Sequence, residues 1–120
     1  QESRGLGSMY KRQDQWFKFE FWKVPSAECE SRTLVEFLLN YDDVYISTGG
    51  ADLKSFGEVY KELRPKLNVM HCIANYPVLS GFQSFGCVAY LREQGWKSVG
   101  YSSHDGDYEC AFVAMGVGID

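Results

Sequence analysis

Four short groups of polar residues each follow a run of strand-forming residues. Lys23 and Ser26 follow the first run, Ser47 and Thr48 the second, Asn75 and Tyr76 the third, and Ser102, Ser103 and His104 the fourth. Together they offer one cation, several hydroxyls, an imidazole and the Gly49-Gly50 turn. That set suits a small anion such as a phosphate or a carboxylate. Each element also has a plainer reading. Ser47-Thr48-Gly49-Gly50 is most simply a strand-to-helix turn. Its amides could bind phosphate, but it lacks the G-x-x-x-x-G-K-[ST] pattern of a nucleotide loop. Lys23 is a snorkelling strand-end lysine, an anion ligand or a Schiff-base former. His104 with Asp105 is an exposed turn, a metal ligand or an acid/base. His71 lies in an apolar run and reads as a core histidine. Glu28 reads equally as charge compensation at a helix start and as a site carboxylate.

These groups need a scaffold, and the chain supplies alternating strands and helices. Phe19 to Val24 alternates in polarity and ends at Pro25, a strand with a stop. Ser31 or Thr33 can cap a helix carrying Leu34, Val35, Phe37 and Leu38, and Thr33 with Glu36 fits a capping box. Val44-Tyr45-Ile46 is a second strand. Asp52 can cap a helix with Leu53, Phe56, Val59, Tyr60 and Leu63 on one face, closed by Pro65. Leu67 to Cys72 is a third strand. Phe82, Phe85, Val88 and Ala89 suggest a helix stopping at Gly95. Ser98 to Tyr101 is a fourth strand. Tyr108, Ala111, Phe112 and Met115 share one face of a last helix, and Val117 would begin a fifth strand.

This rhythm is an α/β fold with a parallel sheet, in units of roughly 20–30 residues. Two architectures fit: a doubly wound five-stranded domain, or a partial (β/α)8 TIM barrel of about four βα units. In either, the four polar groups share the carboxyl edge of the sheet, where ligands bind.

The length of 120 residues permits one domain, or part of a larger one. Twelve basic against sixteen acidic residues argue against a nucleic-acid or anionic-membrane surface. No apolar run reaches the roughly 18–20 residues of a membrane span. Cys29, Cys72, Cys87 and Cys110 form no C-x-x-C pair, and with two histidines a structural zinc site is not expected. They read as reduced core residues of a cytoplasmic protein. No Cys–His nucleophile pairing is suggested by spacing. Residues 1–18 form a polar segment that matches nothing, ahead of a folded region from 19 to 120. The lack of an initiating Met and the strand-like end suggest a fragment.

Lys23-Val24-Pro25-Ser26-Ala27-Glu28, Ile46-Ser47-Thr48-Gly49, His71-Cys72 with Tyr76-Pro77, and Val99-Gly100-Tyr101-Ser102-Ser103-His104 occur in this order. Together they resemble the motifs of the N-acetylneuraminate (sialic acid) synthase family, K-I-P-S-x-E, L-S-T-G-M, H-C-T-x-x-Y-P and V-G-Y-S-D-H-T. Ala111 to Gly116 resembles that family's A-A-V-A-L-G-A helix end. The resemblance covers roughly residues 19–120. It implies a (β/α)8 barrel, of which this chain would be strands four to seven and the start of eight. It implies an aldol-like condensation of phosphoenolpyruvate with N-acetylmannosamine or a related amino sugar, releasing phosphate without a Schiff base. A divalent metal, Mn or Mg, would polarise the sugar aldehyde. By position, Lys23, Ser26, Ser47 and Ser102 would contact phosphoenolpyruvate. Tyr76 would face the sugar as a catalytic residue, Glu28 would be the other catalytic residue, and His104 would be a metal ligand. A homodimer is expected of the full-length form, with no nucleic-acid or membrane partner.

The departures are specific. Ala74 stands where the family has Ser or Asn, Ser103 where it has an acid, Asp105 where it has Thr, and Gly50 where it has Met. The second metal histidine would lie beyond Asp120. This chain alone is therefore expected to be inactive. The alternatives are a non-catalytic half-barrel that binds phosphate or carboxylate ligands, and an assembly module that self-associates through exposed apolar edges.

Overall fold

The computed structural model describes residues 20–74, 84–104 and 109–120. Four strands, β1 (Phe21–Val24), β2 (Asp43–Ser47), β3 (Leu67–His71) and β4 (Ser98–Tyr101), alternate with four helices, α1 (Arg32–Leu39), α2 (Leu53–Val59), α3 (Gly86–Arg92) and α4 (Glu109–Gly116). The strands are all parallel and lie in the order β1-β2-β3-β4.

The register explains the two faces of the sheet. Val24, Ile46, Val69 and Val99 are aligned across all four strands. Each is at most 2% exposed, and they pack with Val35 and Leu38 of α1, Phe56 of α2, and Val88 and Leu91 of α3. Full burial of such side chains contributes about 1.5–3 kcal/mol each. One residue away, Lys23, Tyr45, Asn68 and Ser98 are aligned on the opposite face. Strand residues alternate between faces, so the first row is the helix side and the second the concave side.

Topology settles what periodicity left open. A doubly wound sheet reverses its strand order and carries helices on both faces. Here the described strands run in sequence order and α1 to α3 pack on one face, the winding of a (β/α)8 barrel. The fold is a partial TIM barrel.

Local signals mostly act where the sequence puts them. Asp52 caps α2 by accepting from the amides of Lys54 (2.9 Å) and Ser55 (3.3 Å). Pro65 does not close α2, which already ends at Val59 with Tyr60 and Leu63 outside it; it falls instead in a 3-10 turn, Arg64–Lys66, directly ahead of β3. Gly95 has φ +83°, the left-handed conformation that a helix-ending glycine supplies.

Three further local expectations differ. The Thr33–Glu36 capping box does not form, because α1 starts at Arg32 with Ser31 at its N-cap. Thr33 is already inside the first turn, and Glu36 instead pairs with Arg32 at 2.8 Å. In α4 the buried residues are Cys110 and Ala114, while Phe112 and Met115 are 68% and 58% exposed. This helix is apolar almost all round, so the spacing of its apolar residues does not single out one face. Val117 opens no strand. Gly118 at φ +87° turns the chain, and Asp120 docks on the edge of β4: its amide donates to the Val99 carbonyl and its carboxylate accepts from the Val99 amide, both at 2.8 Å.

Candidate functional site

The carboxyl ends of the strands open on a cleft of about 570 Å3, lined by Lys23, Pro25, Ser26, Ala27, Ser47, Ala74 and His104. Lys23 and Ser47 lie in β1 and β2, Pro25, Ser26 and Ala27 follow β1, and the other two come from the segments after β3 and β4. Lys23 is the one charged group among the described lining residues.

Lys23 lies on the concave row of β1, so its side chain crosses the mouth of the sheet. Its Nζ donates to Ser102 Oγ at 3.1 Å. Ser102 continues β4, and its amide donates to the His71 carbonyl at 2.8 Å, extending the β3–β4 ladder by one bond. Ser47 and Ser102 are buried, at 3% and 8% exposure. The structure thus brings Lys23, Ser26, Ser47, Ser102 and His104 to one end of the sheet, as the strand-end pattern requires.

The Ser47-Thr48-Gly49-Gly50 turn serves this site by fixing Ser26. The Gly49 amide donates to Ser26 Oγ at 2.9 Å. Thr48 donates to the Met70 carbonyl through its amide (3.0 Å) and its hydroxyl (3.3 Å), and the Ala51 amide donates to the Thr48 carbonyl. The Thr48 and Gly49 amides of the turn are therefore already used within the protein, which favours its plainer reading as a strand-to-helix turn. Gly49 is required for close approach: a Cβ there would lie 2.7 Å from Ser26 Oγ and 3.1 Å from the Ala74 Cβ.

His104 Nδ1 lies 3.0 Å from the Ile73 carbonyl oxygen. A carbonyl only accepts, so this contact puts the ring proton on Nδ1 and the lone pair on Nε2. That is the tautomer with which second-shell carbonyls usually orient metal-binding imidazoles. His104 therefore suits one place in a metal's ligand set. Among the described residues no group of three His, Cys, Asp or Glu side chains surrounds a common point.

Glu28 is not among the cleft-lining residues. It lies in the 3-10 turn Ser26–Glu28, and its carboxylate accepts from the Ser31 hydroxyl at 2.7 Å, beside the start of α1. Of its two readings, this placement is the helix-start one. Asn75 and Tyr76 lie outside the described residues. His71 is 3% exposed, with its ring centroid 6.0 Å from that of Tyr101, in keeping with a core histidine.

The four cysteines are free thiols, with Cys87 half-buried and the others buried. Burial, with Glu30 nearby, pushes the Cys29 thiol up, and burial also pushes the Tyr60 hydroxyl up. Both lie away from the cleft, joined by a 2.7 Å bond from the Tyr60 hydroxyl to the Cys29 carbonyl.

One relationship was not foreseen from spacing. Cys72 Sγ stands 3.5 Å from His104 Nδ1, although the two are 32 residues apart. The signal was available in the register: His71 pairs with Tyr101, so the residues just after β3 and just after β4 must be neighbours.

No helix among the described residues is long and apolar enough to cross a membrane. A search of the curated proteins finds no match. Among solved structures, a putative spore coat polysaccharide biosynthesis protein E from Chromobacterium violaceum ATCC 12472 superposes with a TM-score of 0.78 at 24% identity, over 94% of this chain and 34% of that one. The N-acetylneuraminic acid (sialic acid) synthetase from Leptospira borgpetersenii serovar Hardjo-bovis, solved with citrate, superposes with a TM-score of 0.71 at 22% identity, over 83% of this chain and 36% of that one. The chain spans about a third of the length of these structures, and they share its fold. The sequence model of the NeuB family matches residues 14–120, all but the first 13 residues of the chain, and with the strand-end motifs gathered on one cleft this chain belongs to the NeuB family.

Proposed function

We propose that this chain carries part of the phosphoenolpyruvate-binding side of a sialic (nonulosonic) acid synthase. The whole enzyme would condense phosphoenolpyruvate with N-acetylmannosamine or a related amino sugar and release phosphate. The observation that carries this reading is the 3.1 Å contact from Lys23 Nζ to Ser102 Oγ across the mouth of the sheet. It holds an ammonium at the rim of a cleft lined by hydroxyls.

The chemistry of the residues supports an anion there. An ammonium has three donors. One goes to Ser102, leaving two for oxygens of a carboxylate or phosphate. Ser26 Oγ accepts from Gly49, so its own proton is available to donate. Ser102 Oγ accepts from Lys23 in the same way. The ammonium remains a charge partner throughout, since the proposed condensation forms no imine. His104 would hold a divalent metal, Mn or Mg, through Nε2, and such an ion supplies Lewis-acid polarisation of the sugar aldehyde when bound. Tyr76 facing the sugar is part of the same proposal, as are a cytoplasmic location and a homodimer of the full-length form. The position of Glu28 on Ser31 supports no step for it.

Calorimetric titration with phosphoenolpyruvate, with and without Mn, tests this. Saturable binding that is lost in Lys23→Ala is expected. A chain that binds no phosphoenolpyruvate, or binds it equally well without Lys23, would remove the proposal.

A further inference from the structure

His104 meets two consecutive residues of the segment after β3, and they touch different parts of its ring. The Ile73 carbonyl oxygen lies 3.0 Å from Nδ1. Cys72 Sγ lies 3.5 Å from Nδ1 and 3.8 Å from Nε2. In the plane of the ring, a sulfur at those two distances would be driven into Cε1. The thiol therefore lies over the face of the imidazole, while the carbonyl takes its edge. The thiol is itself held in place. Cys72 is 3% exposed, and its sulfur is 3.7 Å from the Ile73 carbonyl oxygen. That oxygen has two lone pairs, so it can accept from both the ring N–H and the S–H. The 2.8 Å bond from the Ser102 amide to the His71 carbonyl keeps the segments after β3 and β4 side by side. A buried, fixed group thus backs a half-buried imidazole that lines the cleft.

We propose that Cys72 is a positioning residue, whose thiol, stacked on the imidazole, sets the tilt of the His104 ring and so the direction of Nε2. The Ile73 carbonyl alone fixes one point of the ring. About that hydrogen bond the ring can still rock, and the far nitrogen swings with it. A contact on the ring face removes this freedom. The side chain that can do so is narrowly defined. A buried cysteine is a small apolar group with a weak S–H donor, and sulfur packs favourably on aromatic rings. Alanine has no γ atom to reach the ring. Serine has a shorter bond to its γ atom and sets a strongly polar group against the ring. A longer chain would push the ring out into the cleft.

The division of labour follows from the chain order. Cys72 and Ile73 are neighbours in sequence, so one short segment supplies the face contact and the edge contact together. Both leave Nε2 clear. Groups that orient an imidazole from behind matter to a metal site nearly as much as its ligands do. What the direction of Nε2 is for rests on the metal role proposed for His104 above, but the positioning of the ring does not.

The test is long-range proton–nitrogen NMR of the reduced full chain, labelled with nitrogen-15 histidine, in mildly alkaline buffer. His71 and His104 are the two histidines, so His104→Gln assigns the signals. In the unaltered chain His104 is expected to show a protonated Nδ1 and a bare Nε2. In Cys72→Ala and in Cys72→Ser both nitrogens are expected to move toward the average of the two tautomers. A sulfur–aromatic contact of ordinary strength shifts the balance between held and released ring by about 2- to 10-fold. Cys29→Ala removes a buried thiol away from the cleft and is expected to leave the His104 signals where they are. Far-UV circular dichroism checks that each variant is folded. Folded Cys72 variants whose His104 nitrogens do not move, or an equal movement in Cys29→Ala, would overturn the proposal. Mn2+ added to the unaltered chain tests the other reading separately: unbroadened His104 signals would end the metal role and leave the positioning of the ring standing.

Discussion

Lys23 and Ser102 are 79 residues apart in sequence and belong to the first strand and the segment after the last, yet Nζ meets Oγ at 3.1 Å. In a flat sheet, three strand spacings would separate them by roughly 14 Å. That is far beyond a lysine's four-carbon stem. The contact is therefore possible because the sheet curls, and it places the cation over the concave face at the carboxyl end. Curvature, rather than any local motif, turns four separate strand ends into one cleft.

Lys23 is exposed and its contact is with a neutral hydroxyl, so removing it should barely affect folding. Lys23→Met is expected to change unfolding free energy by no more than about 0.5 kcal/mol. It is expected to weaken phosphoenolpyruvate binding by about 1.5–3 kcal/mol, the range for a hydrogen bond to a charged group, or about 10- to 150-fold. Urea unfolding and calorimetry on the same variant separate the two effects.

Ala74 lines the cleft without a polar atom. Ala74→Ser adds a hydroxyl where the family usually has one. A net gain of about 1 kcal/mol for one added hydrogen bond predicts roughly fivefold tighter phosphoenolpyruvate binding. Unchanged or weaker binding by calorimetry would place the ligand elsewhere in the cleft.

Gly49→Ala is expected to be costly despite its small size, because the new methyl would press on Ser26 Oγ and the Ala74 Cβ. Ser26 Oγ could rotate only by giving up its bond from the Gly49 amide, and the Ala74 and Ser26 Cβ atoms, 3.1 and 3.2 Å away, are fixed to the backbone. Overpacking of this kind costs about 1–3 kcal/mol. The midpoint of urea unfolding should fall accordingly, and anion affinity should fall with it as Ser26 is displaced.

Tyr60 is fully buried, and burial holds its hydroxyl above the ordinary value of 10.0. As pH rises past that value, the unfolded chain loses the phenolic proton while the folded chain keeps it. Unfolding is thereby favoured, and stability declines through and above pH 10. The Cys29 thiol, raised from 9.0, adds to the decline from slightly lower pH. Tyr60→Phe should flatten the slope by about one proton's worth. The variant should also lose about 1–3 kcal/mol at neutral pH, because the Cys29 carbonyl loses its 2.7 Å donor. Urea unfolding across pH 7 to 11 checks both.

What the sequence made legible, and what it did not, follows from the range of each signal. The Asp52 cap and the Gly95 stop are local, and each acts where its residue type demands. The strand-end clustering of Lys23, Ser47, Ser102 and His104 followed from the rule that parallel α/β sheets gather ligands at one edge. The choice between barrel and doubly wound sheet was not legible, because both use the same βα periodicity and differ only in strand order. The buried face of α4 was hidden by its near-uniform apolarity. Glu28 could not be assigned because a turn places a carboxylate by a few degrees of backbone, and here Ser31 takes it. The Cys72–His104 contact required the β3–β4 register, which residue spacing along one chain does not carry.

The central claim is that Lys23, held across the mouth of the sheet by Ser102, is the cation of an anion-binding cleft. Titration calorimetry with phosphoenolpyruvate on the unaltered chain and on Lys23→Ala tests it most directly. The account predicts saturable binding by the first and at least tenfold weaker binding by the second, with both unfolding at the same urea concentration. Equal affinity in two equally stable proteins would contradict it.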